Sequence, residues 1–217
     1  MKSYDKDQPL YSDNHLLIID KPAGIPTQTE GSVQTGIDHF AKEWVKQEMQ
    51  KKGNVFLEPI HRLDKPVSGL VIFARTSKAL SRMQEMMRAR EIEKVYYTLV
   101  EGTLPQKKGN LEHYLVHDEY RARVVSSSTP DAKQAFLEYT VLESRESLCL
   151  VEVKLHTGRY HQIRAQFSAI GCPIVGDRKY GSQRFFREEA IALHHGKVSF
   201  IHPVKKEPIE VVRLPAF

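Results

Sequence analysis

The feature that most constrains this chain is a charged string that runs straight into an apolar one: His61-Arg62-Leu63-Asp64-Lys65-Pro66-Val67-Ser68-Gly69, then Leu70-Val71-Ile72-Phe73-Ala74. The apolar run, branched and aromatic and bounded by Gly, reads as a buried strand. Pro66 and Gly69 mark the residues ahead of it as a loop. Asp64 therefore stands on a loop held by a rigid strand, where reactive groups are often mounted. Arg62 and Lys65 flank it and favour the ionised carboxylate, able to act as nucleophile or base at neutral pH. Taken alone, an Asp in such a loop more often caps a turn or pairs with its neighbouring Arg.

The rest of the chain alternates short strands with fewer helices. Leu16-Leu17-Ile18-Ile19-Asp20 reads as a buried strand and Lys21-Pro22-Ala23-Gly24-Ile25-Pro26 as a rigid turn, with Lys21 either a phosphate contact or a solvated turn lysine. Over 35–51, Ile37, Phe40, Ala41, Trp44 and Val45 recur at helical spacing, which makes Trp44 a core residue; Lys51-Lys52-Gly53-Asn54 ends that helix. Thr76-Ser77 is the N-cap of a second helix over 78–90, with Leu80, Met83, Met86 and Met87 as its apolar stripe. Residues 94–102 form a β-branched and aromatic strand ending at Gly102. The polar stretch 104–131, with Lys107, Lys108, Arg121 and Arg123, reads as basic hairpins and loops at the surface. Two strands follow, 134–142 and 148–155, around a polar turn at 143–147.

A Thr157-Gly158 turn then opens a short helix that Gly171 closes. Spacing puts His161 and Arg164 on one face of that helix and Ile163 and Phe167 on another. His156 and His161, five apart, do not converge on one ion, so no metal site is expected. Residues 193–203 and 209–214 close the chain as a strand pair.

Three blocks carry a resemblance. His-Arg-Leu-Asp followed after three residues by Ser-Gly-Leu, Lys94-Val95-Tyr96 opening a strand, and Thr157-Gly158-Arg159-Tyr160-His161-Gln162-Ile163-Arg164 together resemble the RluA family of RNA pseudouridine synthases. The turn after the first strand and the closing block are also similar, so the resemblance runs from about residue 16 to 215. One departure stands out: the family usually has Thr before the Ser, where this chain has Val67, which removes a hydroxyl near the loop.

The resemblance implies an α+β protein with the pseudouridine synthase fold, a long mixed and mostly antiparallel sheet flanked by helices around a central cleft. It implies one catalytic domain over 1–217, starting too near Met1 to leave room for a small N-terminal RNA-binding domain. It implies the isomerisation of a uridine in ribosomal or transfer RNA to pseudouridine, without a cofactor. Asp64 would be the catalytic carboxylate, either attacking C1′ or assisting a glycal route. Tyr96, rather than its out-of-register neighbour Tyr97, would line the active site, stacking on the flipped base or acting as a late general base. Arg164 would pair with Asp64, although the two lie 100 positions apart. Arg62, Lys21, Arg159 and His161 are the candidate RNA contacts, with packing the alternative for His161 and a plain surface arginine the equal rival for Arg159.

Composition agrees with that partner without proving it. The 217 residues carry a net charge of +5, which suits a polyanion. With 41% hydrophobic residues, 27% charged residues and no apolar run of membrane-spanning length, the reading is a soluble cytoplasmic protein, monomeric because no unpaired apolar face stands out. Cys149 and Cys172 lack metal or redox spacing and read as reduced structural thiols. Two rival classes are weaker. A glycoside hydrolase needs a second carboxylate in a comparable block, and none is present. A non-catalytic RNA binder built on a dead synthase would be expected to have lost Asp64, Tyr96 or Arg164.

Overall fold

The computed structural model describes residues 9–29, 35–50 and 52–217. The chain begins with β1 (Tyr11–Ser12), β2 (Leu16–Lys21), α1 (Ile37–Glu48), β3 (Glu58–Pro59), β4 (Ser68–Ala74), α2 (Ser77–Ala89) and β5 (Glu93–Glu101). It continues with β6 (Lys108–Asp118), β7 (Arg121–Val125), β8 (Lys133–Arg145), β9 (Leu148–Leu155), α3 (Gln162–Ala169), a 3-10 turn at Arg178–Tyr180, β10 (Leu193–Ile201) and β11 (Pro208–Val212). These elements gather into two compact units, neither of them a single stretch of chain. The first is 1–92 with 198–213, the second 93–197 with 214–217.

In the first unit β2 pairs antiparallel with β1 and with β4, Leu16 opposite Ala74 and Lys21 opposite Gly69. The Leu70 to Ala74 run is buried throughout, as a strand covered on both faces requires. Asp13 starts β2 by accepting the N–H groups of His15 and Leu16 at 2.8 Å each. In α2 the expected cap is present: the Thr76 side chain accepts from Ala79 N–H at 3.1 Å, and Arg90 in the left-handed region (φ 61°) ends the helix. Its Met83 joins Leu70, Ile72, Val198 and Ile209 in one core. The α1 periodicity also holds for Ile37, Ala41 and Val45, whereas Phe40 and Trp44 are only half-buried. α1 stops at Glu48; of the expected helix end, Lys51 lies outside the described residues.

In the second unit β5, β9, β8, β6 and β7 are neighbours in that order, every pairing antiparallel. The polar stretch expected as hairpins and loops contains a long regular hairpin, β6 and β7, which turns at Glu119 and Tyr120. The turn expected at 143–147 shrinks to Glu146 and Ser147, because β8 absorbs an irregularity between Val141 and Glu143 and keeps pairing with β9 to Arg145. Charged side chains do not prevent this, since they point to water while the backbone ladder continues. Helix α3 covers the sheet through Ala165, which packs with Leu115, Ala122, Ala135 and Tyr180. Gly171 follows at φ 76°, the left-handed closure its position calls for. Both cysteines are free and buried.

Candidate active site

Asp64 owes its placement to two clasps. On one side the Thr27 hydroxyl accepts the N–H of Leu63 and donates to its carbonyl, both at 2.9 Å. On the other, the carbonyl of Lys65 accepts Gly24 N–H at 2.8 Å and the Lys21 ammonium at 3.3 Å. Gly24 makes its contact from φ 86°, a conformation that disfavours any side chain. Leu63 and Val67 are buried anchors, and Val67 N–H closes the loop onto Asp64 C=O at 3.0 Å. Between them Asp64 stays half-exposed and Arg62 stays exposed. The hydroxyl missing at position 67 is replaced by an apolar side chain packed inward.

Lys21 is the first correction to the sequence reading. It is no candidate for a phosphate contact, because it is wholly buried and its ammonium also donates to Pro22 C=O at 2.9 Å and Ile25 C=O at 2.7 Å. Desolvation pushes its amine down to about 7, against the opposing charges of Asp64 and Asp20. Its work is to tie the turn after β2 to the Asp64 loop.

In the second unit Tyr96 is buried, and its ring stacks on His195 with centroids 4.5 Å apart and planes 18° apart. Tyr97 faces the other way and donates its hydroxyl to Glu152 at 3.2 Å, which separates the two tyrosines as strand alternation requires. Lys94 shares the Tyr96 face, two residues away, and is also buried; desolvation lowers its amine from the ordinary value. Nothing in the sequence singles out His195, a His on a strand being common. Lys94 opens the Lys-x-Tyr block but has no role assigned to it there, and its burial on the Tyr96 face is what marks it.

Arg164 projects from α3 into a bidentate pair with Asp177, Nε to Oδ2 at 2.6 Å and an Nη to Oδ1 at 2.9 Å, with both side chains buried. Its guanidinium also lies 5.0 Å from the Tyr180 ring centroid. Such a fork holds the planar cation in one orientation. Asp177 is a residue that sequence reasoning misses, since nothing in Gly176-Asp177 signals a partner 13 residues back. The start of α3 is set by amides and hydroxyls. Thr157 accepts Phe136 N–H at 2.8 Å and donates to Gln162 at 2.7 Å, and Gln162 passes the chain of bonds to Gln166, which reaches Leu111 and Ala135 carbonyls.

His161 is the second correction. It is the N-cap of α3 in the left-handed region (φ 51°), so it does not share a helical face with Arg164. It is also buried, with Nδ1 2.9 Å from the Tyr180 hydroxyl and its ring stacked on Tyr160 at 3.9 Å, contacts that agree with the packing alternative of the sequence reading. Arg159 remains exposed, its Nε donating to Gln134 C=O at 3.0 Å. Among the described residues no group of three or more His, Cys, Asp or Glu is placed to hold a metal ion, and no helix is long and apolar enough to cross a membrane.

In each unit the family-like blocks are carried on antiparallel strands with helical cover. Residues 15–169 match the RNA pseudouridylate synthase family, and the chain belongs to it. Its relatives include an uncharacterized RNA pseudouridine synthase of Bacillus subtilis, 35% identical over 92% of this chain and 66% of the relative. The ribosomal large subunit pseudouridine synthase C of Vibrio cholerae is 31% identical over 93% of this chain and 64% of its own length. The tRNA pseudouridine synthase C of the same organism is 29% identical over 93% and 88%. The chain thus spans just under two thirds of the first two. A solved structure, human RNA pseudouridylate synthase domain containing 4, matches with a TM-score of 0.80 at 25% identity, covering 96% of this chain and 89% of that one. The fold is the pseudouridine synthase fold, as the resemblance to the RluA family implied.

Proposed function

We propose that this chain is an RNA pseudouridine synthase that isomerises a specific uridine of ribosomal or transfer RNA, with Asp64 as its catalytic carboxylate. The observation that carries the reading is the Asp64 loop, clasped on both sides so that a half-exposed acidic residue is presented from buried anchors. The names of relatives that act on ribosomal and transfer RNA support both substrates. The reaction breaks the N1 to C1′ bond, turns the uracil and joins C5 to C1′; a proton leaves C5 and N1 gains one, so it balances without a cofactor.

In this reading Asp64 stabilises or attacks the sugar as the base departs, or takes a proton from C2′. Tyr96, held by its stack on His195, faces the detached base and takes the C5 proton. Arg164 is the cation the family block supplies to Asp64, and Asp177 fixes the plane of its guanidinium. Arg62 and Arg159, both exposed, meet the RNA backbone. The target nucleotide leaves its stack at a cost of roughly a few kcal/mol, which favours a loop or bulge. The chain acts as one catalytic domain and as a monomer in the cytoplasm.

The test is pseudouridine mapping by chemical probing of total RNA from cells with the gene deleted, restored, or restored as Asp64→Asn. A uridine whose signal disappears on deletion and returns only with the intact carboxylate establishes the activity and names the substrate. If no site in ribosomal or transfer RNA responds, the reading fails and RNA binding without catalysis takes its place.

A further inference from the structure

We infer that Lys94 is a phosphate-binding residue of the substrate site, holding an RNA backbone phosphate beside the nucleotide that Tyr96 faces. The inference rests on the proposed function and adds a residue to it.

Lys94 is only 8% exposed. Its near neighbours in sequence do not neutralise it: Glu93 pairs instead with Lys154 at 3.0 Å. Among the described residues its ammonium has neither a hydrogen bond nor an ion pair, and burial alone sets the direction in which its amine moves. Lys21 is the instructive contrast, being wholly buried but furnished with three carbonyl acceptors. A mostly buried cation with no protein acceptor costs stability, so the fold gains little from this charge. The ammonium itself is not among the fully buried unpartnered polar atoms and reaches the surface. A methionine of similar length would pack the same space at lower cost.

The surroundings suit an anion. Lys94 and Tyr96 project from one face of β5. The Lys94 Nζ lies beside Gly158, where a Cβ would stand 3.7 Å from it, so the loop passing the ammonium carries no side chain at that point. The next residue, Arg159, is exposed and adds a second cation. A phosphate oxygen over Gly158 would give the Lys94 ammonium the acceptor it lacks, and the charge-assisted bond would fix the sugar to which the base on Tyr96 belongs. A nucleobase carbonyl would complete the ammonium less well, because it leaves the charge uncompensated.

The experiment uses the full chain and in vitro transcripts of ribosomal and transfer RNA. Lys94→Met and Lys94→Arg are compared with the natural residue for pseudouridine formation. They are also compared for RNA binding across a salt series, with binding measured in the Asp64→Asn background. Lys94→Met is expected to weaken binding about tenfold at low salt and to lower the slope of log affinity against log salt by about one phosphate contact. The loss falls on KM rather than kcat, the melting temperature does not fall, and Lys94→Arg recovers most of the affinity. An unchanged salt slope and affinity in Lys94→Met would overturn the assignment. So would a fall in melting temperature that accounts for the lost binding, since that would mark a structural lysine. Failure of the natural chain to form pseudouridine on either RNA would overturn the proposed function, while the salt slope would still decide the role of Lys94.

Discussion

Replacing Lys21 with methionine tests the most unusual group in the loop that presents Asp64. The amine falls from its ordinary 10.5 to about 7, which at about 1.4 kcal/mol per pH unit corresponds to ~5 kcal/mol favouring the neutral form in the folded chain. The sign follows from proton counting. Below about pH 7 both folded and unfolded chains carry the proton, and the folded chain bears the full cost of burying it. Between about 7 and 10.5 the unfolded chain keeps the proton that the folded chain has shed, so stability rises with pH through that window. Lys21→Met has no such proton. The stability of the natural chain relative to the variant is therefore expected to rise by a few kcal/mol between about pH 6 and pH 10, with ~5 kcal/mol as the ceiling. Taking the difference between the two proteins cancels the titration of every other group. Urea unfolding followed by the fluorescence of Trp44, the single tryptophan, which is half-buried in α1 of the same unit, reads it directly. A difference flat to within about 0.5 kcal/mol across that range would refute the argument. It would mean that the three carbonyl acceptors and the nearby carboxylates hold the ammonium charged in spite of its burial.

Two further outcomes follow from the same geometry. Thr27→Val removes both bonds to Leu63 and leaves a buried N–H and C=O unsatisfied. It is expected to cost about 1–3 kcal/mol in urea unfolding and to lower kcat more than KM for pseudouridine formation, because the residue next to Asp64 loses its tether; an unchanged kcat would show that the clasp does not position the carboxylate. Asp177→Asn takes away the buried carboxylate that forks onto the Arg164 guanidinium and is expected to cost about 3–5 kcal/mol. A thermal shift equivalent to less than about 1 kcal/mol would show that Arg164 has another full partner.

Much of this protein is legible in the sequence. Thr76 caps α2, Gly171 closes α3, and Leu70 to Ala74 is a buried strand, because each depends on residues within one or two turns of the chain. The division between Tyr96 and Tyr97 is readable for the same reason, since alternation along a strand is local. The two corrections have the opposite origin. Lys21 reads as a surface lysine because a Lys-Pro turn is usually wet, but its third acceptor, Lys65 C=O, lies 44 residues away. His161 reads as helical by spacing, but the Tyr180 hydroxyl and the Tyr160 ring hold it in the left-handed region one residue before α3 begins.

What the sequence determined alone was most of the elements, the three blocks that mark the family, and the loop on which Asp64 stands, because local periodicity, turn chemistry and motif spacing are short-range properties. What only the tertiary structure decided was which charges are buried and what meets them. Lys21, Lys94 and Arg164 are all cations in family-like blocks, yet the first is satisfied by carbonyls, the second by nothing among the described residues, and the third is forked onto a carboxylate. Burial and pairing depend on segments brought together from distant parts of the chain, and the free energy of a charge is set by those neighbours rather than by its own residue type.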